Sequence, residues 1–330
     1  MRTLVTGGAG FIGSALCEHL LDSGDEVVVL DDLSTGSLDN LSGVIEDPRL
    51  SFVHGSVLER DVLDSVMARA GRVFHLAAVV GVRLIVDHPL HGLRVNIHGT
   101  ENVLEAARTH GVRVLLASTS EVYGKNTADR LSEDSDRILG SALLSRWTYA
   151  GAKGIDEAFA HAYATEYGVP LVIVRLFNTV GPRQTGRYGM VVPNLIGQAL
   201  AGEPLTVFGD GQQTRCFSYV ADVVPAMVAL AECPAADKLA VNLGGLTEIS
   251  IMDLARRIVS RLDSPSEIRL IPYSEAYGPG YEDMRRRVPD NTLAGRLVGF
   301  HPRTTIEEII DRVAASMAAP VTSGSAGTHR

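Results

Sequence analysis

Residues 3–22 read TLVTGGAGFIGSALCEHLLD, and this stretch narrows the possible folds more than any other in the chain. A short strand pattern runs into a turn carrying Gly7, Gly10 and Gly13, and a helical pattern follows over 11–23. Glycines at that spacing permit a tight turn and let backbone approach a pyrophosphate, with the anion on the helix N-terminus. A glycine triplet alone carries little weight. Here the strand–turn–helix context is present, and the next strand, in EVVVLDDLSTG, ends on an acid, Asp31. A carboxylate there can accept both hydroxyls of an adenosine ribose and repels a 2′-phosphate. The expected cofactor is therefore NAD rather than NADP, with Asp31 at a strand end and outside the core.

Short Val/Leu runs alternate with helical patterns through the first half. Strands are expected at 2–6, 26–31, 50–53, 72–76, 112–117 and 170–175, with helices at 11–23, 60–70, 91–110 and 149–167. Continuous apolar strands spaced by helices predict an α/β fold, a Rossmann-type doubly wound parallel sheet covered on both faces. From residue 177 the texture changes: Gly, Pro and Arg become frequent, in GPRQTGRYGMVVPN, GEPLTVFGDGQQTR and YGPGYEDMRRRVPD. Helical patterns at 221–232, 250–262 and 305–317 interrupt these loops. The expected organisation is a dinucleotide-binding domain over 1–176, with 209–240 returning to it, and a smaller, interleaved substrate-binding lobe over 177–318. The small, polar tail 319–330 is expected to be disordered.

Composition excludes several classes. The net charge of −9 and dispersed basic residues argue against nucleic acid as a partner. No apolar run approaches the ~18 residues that a membrane span needs. The N-terminus enters a strand pattern at once and leaves no room for a secretion leader, so a cytoplasmic protein is expected. Cys17, Cys216 and Cys233 are an odd number without metal-type spacing, read as reduced thiols; no metal is expected.

Residues 118–124, STSEVYG, put three hydroxyls and a carboxylate at the end of an apolar strand pattern, where each needs a partner. Further on, Tyr149 and Lys153 share one helix face, four residues apart. An ammonium beside a phenol lowers its pKa, and a phenol so tuned can act as a general base. Taken with the glycine loop, TGGAGFIGS, DDLSTG, HLAA (75–78), NIHGTENVLEAA (96–107), STSEVYG, RLFNTVGPR (175–183), GDGQQTRCFSYVADVV (209–224) and RRRVPD (285–290) resemble the extended short-chain dehydrogenase/reductases, specifically their nucleotide-sugar epimerases, dehydratases and decarboxylases.

The resemblance implies roles. Thr119 hydrogen-bonds the sugar 4-hydroxyl, Tyr149 takes its proton while C4 yields hydride to the nicotinamide, and Lys153 binds the nicotinamide ribose. Beyond the glycine triplet and Asp31, the cofactor is expected to meet Phe11, Ile12, Asp32, Ser34, Thr35, Gly36, Ser56, Val57, Leu76, Ala77, Ala78 and Asn96. The UDP-sugar is expected to meet Ser120, Asn178, Val192, Thr206, Phe208, Arg215, Arg287 and Asp290, with Phe208 near the uracil. His75 reads as structural. Helices 91–110 and 149–167 are implied to pair across a homodimer as a four-helix bundle; the stripe Val95, Val103 and Ala106 fits that or core packing equally.

The reaction stays open between relatives. A 4,6-dehydratase would carry Asp after the Thr, where this chain has Ser120, so dehydration is disfavoured. Glu121 and Arg287 resemble decarboxylase residues, whereas RQTGRYGMVVP resembles a 4-epimerase loop. The expectation is C4 epimerisation of a UDP-hexuronate, UDP-glucuronate to UDP-galacturonate, with Arg187 or Arg83 clamping the carboxylate against loss. UDP-glucuronate decarboxylation is the second reading, and UDP-glucose 4-epimerisation a third. A catalytically silent NAD sensor of the same fold is the alternative of another class; the intact Tyr149 and Lys153 weigh against it.

Overall fold

The computed structural model describes residues 1–81, 88–186, 189–277 and 282–318. Its centre is a sheet of seven parallel strands: β1 (Arg2–Thr6), β2 (Glu26–Asp31), β3 (Leu50–His54), β4 (Arg72–His75), β5 (Arg113–Thr119), β6 (Leu171–Phe177) and β7 (Ala240–Gly244). Their spatial order is β7-β6-β5-β4-β1-β2-β3, every pair parallel. The order reverses between β1 and β4. The crevice beyond the carboxyl ends at such a switch point is where sheets of this kind bind ligands.

Both faces of the sheet are covered, which is why its strands read as unbroken apolar runs. On one face α1 (Phe11–Asp22) and the helix Val220–Glu232 pack together, and Leu16, Leu20, Val223 and Met227 are fully buried. On the other lie α2 (Arg60–Met67), α3 (Gly99–His110) and α4 (Thr148–Glu166), which bury Leu63, Leu104 and Ala160. The segment expected as one helix over 91–110 begins at Pro89 and passes through a π-helical turn, Arg94–His98, into α3. Val95, Val103 and Ala106 are buried in the chain's own core, so that stripe serves packing within one chain.

The seventh strand lay beyond the sequence reading, which placed six. Its middle residue is Asn242, fully buried, and a polar residue there breaks the apolar run that marks the other strands. The side chain is satisfied: Nδ2 donates to the Leu131 carbonyl at 2.9 Å, and Oδ1 accepts from the Tyr123 hydroxyl at 2.7 Å. Such complete pairing is what makes a buried amide tolerable.

The remaining segments build a lobe over the crevice. It holds a two-stranded pair, Leu205–Phe208 with Ile268–Ile271, and a three-stranded sheet of Glu248–Ser250, Thr214–Cys216 and Arg286–Arg287. Helices Val191–Ala201, Ile251–Arg261 and Ile306–Ala318 pack beside them. In the three-stranded sheet Arg215 and Arg287 are register partners on neighbouring parallel strands. No helix among the described residues is long and apolar enough to cross a membrane.

Candidate active site

A cavity of about 740 Å³ runs from the glycine loop, across the ends of β4 and β5, into the lobe. At one end its wall is mostly backbone. Gly7 adopts φ +73°, and a Cβ there would lie 2.7 Å from the Ala77 nitrogen; a Cβ on Gly13 would lie 2.1 Å from the Gly7 carbonyl oxygen. Only glycine lets the turn, the start of α1 and the end of β4 close on each other this tightly. Gly7, Gly10, Phe11, Ile12, Gly13, Asp31, Asp32, Ser34, Thr35, Gly36, Ser56, Val57, Leu76, Ala77 and Ala78 all line this end.

Asp31 departs from expectation in one respect. It is buried, and its carboxylate accepts from the Ala9 amide at 2.9 Å and the Leu33 amide at 2.8 Å. Burial pushes its carboxyl pKa up, and the two amides act against that. Asp31 therefore braces the glycine loop as well as facing the cavity. Asn96 does not line the cavity: its amide is spent on Val79, accepting from the nitrogen at 2.8 Å and donating to the carbonyl at 3.2 Å. It holds the segment that follows Ala78.

The other end is walled by side chains. Thr119 closes β5, and its hydroxyl oxygen caps the following turn by accepting from the Glu121 amide at 3.2 Å. The Ser118 hydroxyl donates to Glu157 at 2.5 Å, and Arg175 grips the same carboxylate through Nε at 2.9 Å and Nη2 at 2.8 Å. This bidentate pair ties α4 to β5 and β6 beneath the site. Buried charges paired so completely are costly to separate, about 3–5 kcal/mol when one partner is lost.

Tyr149 and Lys153 are both buried on α4 and line the cavity with Thr119. Their electrostatics run opposite to the sequence expectation. Burial raises the Tyr149 pKa, and the Glu121 and Asp156 carboxylates raise it further; a hydrogen bond with Thr119 acts the other way. The Lys153 ammonium lies 3.1 Å from Asp156 Oδ2, one turn along its own helix, and its charge is largely answered there. His75 is sealed between Thr6, 2.8 Å from Nδ1, and Thr100, 3.1 Å from Nε2; burial and then Lys153 push its pKa down to about 3. It is a neutral packing residue.

Glu121 sits beside this pair. Arg146 donates to Oε2 at 2.6 Å, and Arg287 approaches Oε1 at 3.5 Å. Burial opposes the charge on Glu121, but the two guanidiniums hold its pKa below the ordinary carboxylate range. Arg287 also reaches the Ser120 hydroxyl at 3.3 Å, while its Nε is buried with no hydrogen-bond partner among the described residues. Burial and the neighbouring Arg215 pull the Arg287 pKa down to about 10.

Asn178, Thr206, Phe208 and Arg215, among the residues expected to meet the UDP-sugar, line this end. Phe208 meets Tyr277 edge-on, ring centroids 5.4 Å apart. Val192 and Asp290 do not line it. Val192 faces the core, and its neighbour Val191 faces the cavity; Asp290 accepts from the Thr292 amide at 2.8 Å instead. Arg83 and Arg187 lie outside the described residues. Sequence reasoning missed Arg146, Tyr273, Tyr277 and Asp283, all on the cavity wall. Arg146 immediately precedes the Trp147-Thr148-Tyr149 run, its one available signal.

The chain belongs to the NAD-dependent epimerase/dehydratase family, whose profile matches residues 3–244. It is 38% identical over 93% of its length to a UDP-N-acetyl-alpha-D-glucosaminuronate decarboxylase of Bacillus cytotoxicus, covering 94% of that protein. It is 37% identical to UDP-glucuronic acid decarboxylase 1 of Xenopus tropicalis, over 94% of this chain and 70% of the relative. Among solved structures, the UDP-glucuronic acid 4-epimerase of Bacillus cereus in complex with UDP-glucuronic acid and NAD superposes with a TM-score of 0.86 at 30% identity, over 96% of this chain and 99% of that one. The cofactor is NAD; the glycine loop, Asp31 and Lys153 line the cavity.

Proposed function

We propose that the protein oxidises a UDP-hexuronate at C4 and releases its carboxylate as CO2, acting on UDP-glucuronate or its 2-acetamido counterpart. NAD supplies the hydride acceptor and, bound, a positive charge that favours a phenolate. Tyr149 takes the 4-hydroxyl proton, and Thr119 orients that hydroxyl. Ketone formation at C4 makes the sugar a β-keto acid. The C5–C6 electron pair then moves into the C4 carbonyl, CO2 leaves, and C5 takes a proton; C4 takes the hydride back and O4 a proton from Tyr149, so the product is a UDP-pentose lighter by one CO2.

The observation that carries this over epimerisation is the ionised, buried Glu121 beside Tyr149, held by Arg146 and Arg287. A second carboxylate brought next to it is relieved of repulsion by leaving as neutral CO2, since like charges are costly at low dielectric. The buried N–H of Arg287 Nε is the group that such a carboxylate would take on entry. Both curated relatives reported above are decarboxylases. The second reading is C4 epimerisation, favoured by the likeness to the Bacillus cereus epimerase. Product mass from UDP-glucuronate and UDP-N-acetylglucosaminuronate separates them. A product lighter by one CO2 is expected from one or both; a product of unchanged mass from both would replace this reading with the epimerase.

A further inference from the structure

Arg215 and Arg287 stand side by side on paired strands, and Arg146 reaches toward them from the turn before α4. All three are nearly buried, at 5%, 9% and 6% exposure respectively, so their charges need anions close by. Among the described residues, two carboxylates answer them on the cavity wall: Glu121, used above, and Asp283. Asp283 Oδ2 lies 3.1 Å from Arg215 Nη2 and accepts from the Tyr273 hydroxyl at 3.1 Å. Its Oδ1 accepts from the Met284 amide at 2.8 Å and lies 3.5 Å from Arg146 Nη2.

We infer that Asp283 is an exchangeable counter-ion, which occupies Arg215 in the free protein in the place a nucleotide's diphosphate takes on binding, and so sets how tightly the nucleotide is held. This rests on the nucleotide-sugar reading of the site. In this cluster of described residues three guanidiniums meet two carboxylates, and a diphosphate brings about two further negative charges. Arg215 cannot serve both anions fully. Asp283 can release it without being stranded, because Tyr273, the Met284 amide and Arg146 remain around it. Burial opposes its charge, but Arg215, Arg146 and Arg287 keep its pKa below the usual carboxylate range, so it competes as an anion. A resident competitor weakens nucleotide binding and hastens release of the nucleotide-bearing product.

Calorimetry with UDP and UDP-glucose, and with UDP-glucuronate in a Tyr149→Phe background, tests this without turnover. Asp283→Asn keeps an acceptor for Arg215 and removes only the charge. It should tighten both ligands by about fivefold, the effect of removing one competing charge. Without nucleotide the variant should melt below the parent protein, and UDP should raise its melting temperature by more. Unchanged or weakened UDP binding would overturn the inference, since Asp283 would then merely shape the pocket. A gain confined to UDP-glucuronate would also overturn it, because the exchanged anion would be the uronate carboxylate. If the Asn variant does not fold, Asp283→Ser, uncharged yet able to accept from Tyr273, carries the same expectation. Product mass on the parent protein decides the reaction separately, so either idea can fall alone.

Discussion

At the Gly7–Gly13 end of the cavity the wall is backbone, braced by one carboxylate that accepts two amides; at the Glu121 end it is a chain of charged side chains, Arg287–Glu121–Arg146–Asp283–Arg215. The first is closely packed because nothing larger than hydrogen fits at Gly7 and Gly13. The second is held by charges that answer one another, and each is open to replacement by a charge on the ligand. A fold that keeps cofactor binding constant while substrates and reactions vary would place its backbone and its exchangeable charges in this way.

The largest effect should come from the seam between the two ends. Tyr149→Phe removes the proton acceptor for the 4-hydroxyl and leaves both walls intact. Turnover should fall by about a thousandfold or more while UDP and NAD binding stay within about threefold of the parent. A loss carried mainly by weaker UDP binding would mean that Tyr149 holds substrate instead of moving its proton. The pH dependence sharpens the point. Burial, Glu121 and Asp156 raise the Tyr149 pKa, and the reactive form is the phenolate, so kcat should climb with pH on the acid side. Glu121→Gln, by removing one of the charges that raise that pKa, should move this limb to lower pH.

Glu121→Gln should also act in the charged half alone. NAD occupancy should be unchanged, and kcat should fall by about a hundredfold, within the range for a charged group acting in the transition state. In the backbone half, Asp31→Asn keeps one acceptor for the loop amides but removes the charge that repels a 2′-phosphate. NAD should weaken by about tenfold and the preference over NADP should shrink, read by fluorescence titration with each cofactor. If either variant disturbs the other half's ligand equally, the two ends are one coupled unit and the contrast drawn above is wrong.

The two halves also differ in how much of them could be read from the sequence. The glycine triplet and Asp31 fall within a single strand–helix–strand unit, so local spacing sufficed. Tyr149 and Lys153 were likewise within reach through helix periodicity, and Thr119 through the family resemblance of STSEVYG. Arg146 and Asp283 were not. Their meeting depends on Thr214–Cys216 lying between Glu248–Ser250 and Arg286–Arg287, a pairing of segments far apart in sequence. The expected lowering of the Tyr149 pKa reversed for a related reason: the ring's own burial, and the Glu121 and Asp156 carboxylates packed around it, were not visible in the sequence. Val192 shows the limit of local reading on a helix, since one residue's rotation exchanges a cavity wall for a core position.

His75, at the end of β4 between the two halves, should show the smallest effect on turnover and a distinct one on stability. Its imidazole is closed in by Thr6 and Thr100, and among the described residues the charged group that acts on it is the Lys153 ammonium. Its pKa is pushed down to about 3 from an ordinary value of 6.5, so the folded protein refuses a proton that the unfolded chain accepts. Above that ordinary value both states carry a neutral ring and the full stability is present. As pH falls from there toward the folded value, the unfolded state alone gains a proton and stability is lost. The carboxylates with lowered pKa, Glu121 and Asp283, give the same direction of change at lower pH, as they protonate. Their contribution is separated by His75→Gln, which cannot titrate but can still hydrogen-bond to the two threonines. Between about pH 7 and about pH 5 its melting temperature should fall less than the parent's, by on the order of 3 °C. Parallel melting curves for parent and variant across that window would mean that the ring takes up its proton in the folded state, and the seam would then be open to water rather than sealed.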